Sequence, residues 1–189
     1  MVSPFTAPRR LVFKAAVILI SAVVWLACWQ VAQSVLHFTV MRNDITLIYV
    51  PAGVRLVILL VSGIWGAIGI ALAFPFALLQ EFPGISWQET LTYSAIAGFI
   101  PYATILGVCR VARISHDLST LRSIHLPLLA GAVSVTGGLA YTAALAGFGR
   151  FDAARFLPDA TAMAAGDFLG CFAVIGLVRV VIALRRKSR

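Results

Sequence analysis

From residue 47 to residue 79 the chain carries one charged side chain, Arg55, in an otherwise apolar run. A single helix through this run would be about 50 Å long, against a hydrocarbon core of about 30 Å. The run therefore has to fold back once. Ser62-Gly63 and Gly66 supply the place, dividing it into residues 47–61 and 64–79, and Pro75 bends the second arm. Each arm is short for a full crossing. Either both cross a locally thinned bilayer, or the pair is a re-entrant hairpin buried in protein.

Four more apolar runs follow the same logic, at residues 15–36, 91–109, 126–148 and 160–184. The sequence thus predicts an all-α, polytopic membrane bundle of six helical segments in one domain over residues 1–189. Composition agrees: 61% of the residues are hydrophobic and 12% charged. Soluble domains are nearer 45–50% and ~25%. The first run is read as a retained span, since Trp25 fits badly three residues before Cys28 in a lipoprotein cleavage site.

The basic residues orient the bundle. Arg9, Arg10 and Lys14, then Arg110, Arg113 and Arg122, then Arg185, Arg186, Lys187 and Arg189 fall on one side, ten in all. Arg42, Arg150 and Arg155 fall on the other. Positive-inside then places both termini in the cytoplasm. The net charge of +8 is used up in this way, and no soluble basic face remains for nucleic acid. The loop at residues 110–125 sets Ile114, Leu118 and Leu121 at helical spacing among its arginines. It either lies on anionic lipid or docks a cytoplasmic partner.

Two ionisable residues lie well inside apolar segments, where a charge costs a few kcal/mol to insert. Arg55 follows Tyr49-Val50-Pro51-Ala52-Gly53-Val54. Asn43 or Asp44 can cap a first turn of this segment, and Pro51 and Gly53 then allow either a kinked helix whose Arg pairs with a carbonyl, or a helix starting afresh at Pro51. In the second case the helix amides and the guanidinium make a site for a carboxylate or other anion. Asp167 lies in Gly166-Asp167-Phe168-Leu169-Gly170, whose small residues let another helix approach closely. Its reading is a structural counter-ion or a proton relay. Both residues fall about 10–12 Å below the outer edge of the bundle. Equal depth and opposite sign make them expected partners. Tyr49, Pro51, Gly53, Arg55 and Asp167 are the candidate ligand-binding residues.

Catalytic chemistry has nothing to stand on. There is no Gly-x-Ser-x-Gly, Walker loop, His-Glu-x-x-His or pair of carboxylates, so no catalytic residue is assigned and the chain reads as a non-enzyme. His37, His116 and His125 are scattered, and Cys28, Cys109 and Cys171 show no Cys-x-x-Cys spacing, so no metal or cofactor is expected. Lys14 and Arg179 are near span ends and read as anchors. Tyr49, Trp65, Trp87 and Tyr93 either belt the interfaces or line a pocket mouth.

Tyr49-Val50-Pro51-Ala52-Gly53-Val54-Arg55-Leu56, then Gly63-Ile64-Trp65-Gly66, then Gly166-Asp167-Phe168-Leu169-Gly170 stand in an order that resembles the bacterial MASE-type membrane-associated sensor domains. Val50 stands where that family often has a Pro, and Trp65 lacks a following Pro. The resemblance implies a sensor-like module in a bacterial inner membrane, without an effector domain, acting through a signalling partner. A small-solute transporter or transporter substrate-binding subunit is the alternative, and a structural or assembly subunit of a membrane complex the third.

Overall fold

The computed structural model of the chain describes residues 7–35, 48–115, 119–150 and 152–187. Leu36, His37, Arg42, Asn43, Asp44, Leu47, His116 and Leu118 lie outside them, and with them the expected cap of the second segment. The described residues form five helices and no strand: α1 (Ala7–Val35), α2 (Val50–Glu81), α3 (Trp87–Val111), α4 (His125–Gly147) and α5 (Phe156–Lys187). A 3-10 turn, Ala153–Arg155, precedes the last. All five helices are long and apolar enough to cross a membrane. Large aliphatic side chains such as Leu11, Val61 and Leu177 point away from the bundle, a surface suited to lipid rather than water.

The sequence expects six segments, and the structure has five helices. The difference lies in α2, which is continuous except at Gly63, where φ is 55° and ψ −134°. That left-handed backbone is open to glycine and strained for other residues. It turns the chain without a loop, so both arms count as one element. A Cβ placed on Gly66 would lie 2.9 Å from the Ile58 side chain. In a straight helix those two residues would be about 12 Å apart along the axis.

Side-chain pairings give the direction of each arm. The second arm runs beside α1 in the same sense, from Lys14 over the Trp65 ring at 4.6 Å, through Trp25 on Phe74 at 5.3 Å, to Trp29 bonded to Glu81 at 3.2 Å. It runs against α3, where Gly98 meets Ala67 and Ala71, and Gly63 meets Tyr102. α3 and α4 oppose each other through Thr104 and Thr136, whose hydroxyls are 2.8 Å apart, and α4 opposes α5 through Gly138 against Ala160 and Ala164. The first arm lies along α5 in the same sense, Tyr49 at Gly166 and Gly53 at Gly170. The two arms of α2 therefore run in opposite senses through the bundle.

α3 and α5 begin and end further out than their apolar runs suggest. α3 starts at Trp87 because Ser86 and Glu89 form a reciprocal capping box. Glu89 also accepts two bonds from Arg150, at 2.8 and 3.2 Å, and so ties the α4–α5 connection to the head of α3. That carboxylate holds the Arg150 guanidinium charged to higher pH than usual. At the opposite end, the described part of the segment from 112 to 124 consists of turns, not an amphipathic helix. Arg113 takes a φ of 52° and Ile114 is buried, so Ile114 is not available to a flat apolar stripe.

Candidate functional site

The site is built where the first arm of α2 begins. The Tyr49 amide donates to the Gly166 carbonyl at 3.0 Å. Gly166 lies about 15 Å along α5 from Phe156. α2 therefore starts inside the bundle rather than at its edge. Glycines make this approach possible. A Cβ on Gly53 would lie 2.6 Å from the Gly170 carbonyl oxygen, and one on Gly170 would run into the carbonyl of Tyr49. The small-residue face around Asp167 thus meets backbone, not a side-chain layer.

This close seating brings Arg55, on the second turn of α2, to Asp167 on α5. Nη2 of Arg55 lies 2.7 Å from Oδ2 of Asp167. Both residues are buried, Arg55 7% and Asp167 9% exposed. At this burial an isolated charge is strongly disfavoured, and the pair satisfies both partners in part. Nε of Arg55 has no hydrogen-bond partner among the described residues. Gly137 of α4 faces the pair: a Cβ there would be 3.8 Å from Asp167 Oδ2 and 3.9 Å from Arg55 Nη2. The absence of a side chain at 137 leaves open space over the two charges.

That space is the floor of a cavity of about 460 Å³. Its volume falls in the range of small-molecule sites. Tyr49, Phe74, Ile96, Tyr141 and Met163 form the wall. The Phe74 and Tyr141 rings meet edge to face at 6.1 Å, which fixes the aromatic side of it. The rim is polar, with Gln30, Gln33 and Ser34 from α1, and Gln80 and Glu81 from the end of α2. Glu81 accepts from Trp29 Nε1 at 3.2 Å and from Gln33 Nε2 at 3.0 Å. One end of the cavity is thus ionic, the middle apolar and aromatic, and the mouth rich in amides.

The structure brings Tyr49, Arg55 and Asp167 into this one cavity. It does not bring Pro51 and Gly53 there. Pro51 occupies the first turn of α2, and Gly53 packs against Gly170 and Val174. Neither lines the cavity. Of the four candidate aromatics, Tyr49 lines the cavity. Trp65 holds Lys14, Trp87 is exposed, and Tyr93 is fully buried against Tyr141.

The sequence reading missed the rim. The apolar runs stop at residue 79, short of Glu81, and leave Asp167 as the one acidic residue inside them. Glu81 ends α2 and lines the same cavity as Asp167. The signal was present: Gln30 and Gln33 are neutral polar residues three apart on one face of an apolar span. Among the described residues, no group of three or more His, Cys, Asp or Glu is placed to hold a metal ion.

The chain matches no protein family, no curated protein and no solved structure.

Proposed function

We propose that this is a multi-pass inner-membrane protein, with both termini cytoplasmic, that binds a small ligand in the cavity above Arg55 and Asp167. It acts as a non-enzymatic, sensor-like module that passes ligand occupancy to a partner. The observation that carries this reading is the cavity itself. A space of about 460 Å³ ends on a buried ion pair whose guanidinium keeps an unpartnered Nε. Packing alone does not call for such a space. A bundle holding Arg55 only as a counter-ion would be better served by a side chain at Gly137 that sealed the pair from the rim. The resemblance of the segments around Pro51 and Gly166 to MASE-type sensor domains supports the sensor-like part of the reading.

One feature favours transport instead. Membrane transporters often build sites from helices that start or break within the bundle. α2 starts beside Gly166 and breaks at Gly63. Native mass spectrometry of the protein, purified from membranes in mild detergent, tests ligand binding under either reading. The wild type should retain a small molecule that Gly137→Leu lacks, because leucine at 137 fills the floor of the cavity. A wild type with no bound mass across repeated preparations would overturn the reading.

A further inference from the structure

If the cavity is a ligand site, its two ends and its charge fix what it takes. We propose that it binds a small monocarboxylate with an apolar body, head-first on Arg55, and that Asp167 releases the guanidinium by accepting one proton. This rests on the ligand-site reading above and names the class of ligand and the ion that moves with it.

Chemical complementarity gives the first half. The floor presents a guanidinium with one contact to Asp167 and a free Nε, and an Arg edge matches a carboxylate with two parallel bonds. Directly above it the wall is Tyr49, Phe74, Ile96, Tyr141 and Met163, which suits a ring or a short alkyl chain and offers no second cation.

Charge balance gives the second half. In the ion pair the floor is neutral. A carboxylate added beside Asp167 would place two anions on one cation in a buried site, where unpaired charge is costly. Neutrality is restored by a proton. The ligand carboxylate takes the guanidinium and Asp167 becomes a carboxylic acid: one O–H bond forms on Asp167 and one breaks in the proton's donor. The proton arrives from water with the ligand, or on the ligand as its neutral acid.

The phenols and the thiol that face Asp167 would leave a new buried anion if they gave up a proton, so they do not supply it. Tyr49 stands at the start of α2, Tyr141 on α4, and Cys171 one turn further along α5. Glu81 lies across the cavity at the end of α2, bonded to Trp29 and Gln33. α1 and α3 face the cavity with Trp29, Gln33, Ile96 and Ala97, none of which titrates near neutrality.

The test is calorimetry on the full chain in detergent, with benzoate, octanoate and indole-3-acetate as probes and benzamide and octanamide as neutral controls. At least one carboxylate should bind, with apparent affinity rising about tenfold for each unit that pH is lowered between about 8 and 6, as uptake of one proton requires. Paired runs in buffers of different ionisation heat should count that proton in the wild type without any variant. Asp167→Asn should bind the same probe with no pH dependence, which separates Asp167 from Glu81. Arg55→Gln should not bind it. Carboxylate binding without proton uptake would overturn the exchange. Failure of all three carboxylates, with a native ligand still retained by wild type and lost from Gly137→Leu, would overturn the carboxylate assignment and leave the ligand site standing. Failure of both would remove the site as well.

Discussion

Replacing Arg55 or Asp167 alone should damage the protein far more than replacing both. Nη2 and Oδ2 are 2.7 Å apart, and the residues are 7% and 9% exposed. With charge centres about 4 Å apart and an effective dielectric near 20, the attraction is about 4 kcal/mol. Arg55→Leu would remove that attraction and leave Asp167 charged in an apolar wall. Asp167→Leu would do the same to the guanidinium. Each single change should therefore lose about 3–5 kcal/mol. The double change leaves no orphan charge, and should recover about 2–3 kcal/mol of the summed losses as coupling. Equilibrium unfolding in mixed micelles, followed by circular dichroism, yields all four corners of the cycle. Losses that simply add would show that the two residues are not energetic partners, and the argument from their contact would fail. A stable double variant that still binds ligand as wild type does would make the pair structural and move the site elsewhere.

Backbone geometry yields further tests. Gly63→Ala should lose about 1–3 kcal/mol from strain alone, because its φ is 55° and no neighbouring atom lies closer than 4.0 Å to the added methyl. Gly170→Ala should be worse than Gly107→Ala by thermal unfolding, since a Cβ at 170 meets the Tyr49 carbonyl while one at 107 meets nothing within 4 Å. Ser86→Ala removes one half of the α3 capping box and should cost about 0.5–2 kcal/mol, with ligand binding intact. Reporter fusions after Lys187 and near Gly84 should read cytoplasmic and extracytoplasmic respectively. A cytoplasmic signal near Gly84 would invalidate the orientation drawn from the basic residues.

Much of the candidate site is legible in the sequence because burial makes charge conspicuous. Arg55 and Asp167 stand out against apolar neighbours, and the spacing of Gly166 and Gly170 marks a close approach. Equal depth along two segments running in the same sense was enough to pair them. The turn at Gly63 was legible for the same kind of reason: an apolar helix much longer than the bilayer has to break, and glycine is where it can. What was not legible was how little chain the turn needs. Nothing in the residues themselves says that one left-handed glycine suffices, so the expected two segments appear as one interrupted helix. The sequence puts Pro51 and Gly53 among the ligand contacts because a helix start attracts anions. In the structure Gly53 packs against Gly170, and the residues around Gly53 do not name that partner. Glu81 escaped for a plainer reason. An acidic residue next to Pro83 and Gly84 reads as loop, and only the Trp29 and Gln33 side chains turn it into part of a cavity. The capping box at Ser86 and Glu89 sets the start of α3 at Trp87, four residues before the apolar run, and a reading by apolar runs passes over it.

The central claim is that the Arg55–Asp167 pair forms the floor of a cavity reached from the rim of Gln30, Gln33 and Glu81. It is tested most directly by the reach of a small water-soluble reagent. With Cys28, Cys109 and Cys171 replaced by alanine, Gly137→Cys places a thiol over the pair, where a Cβ has room at 3.8 Å from Asp167 Oδ2. A methanethiosulfonate should label that thiol within minutes, and a bulky Gln33→Trp change at the rim should slow the reaction. If a thiol introduced at exposed Gln30 is fully labelled while the one at 137 stays unmodified after hours, the floor is sealed and the account is wrong.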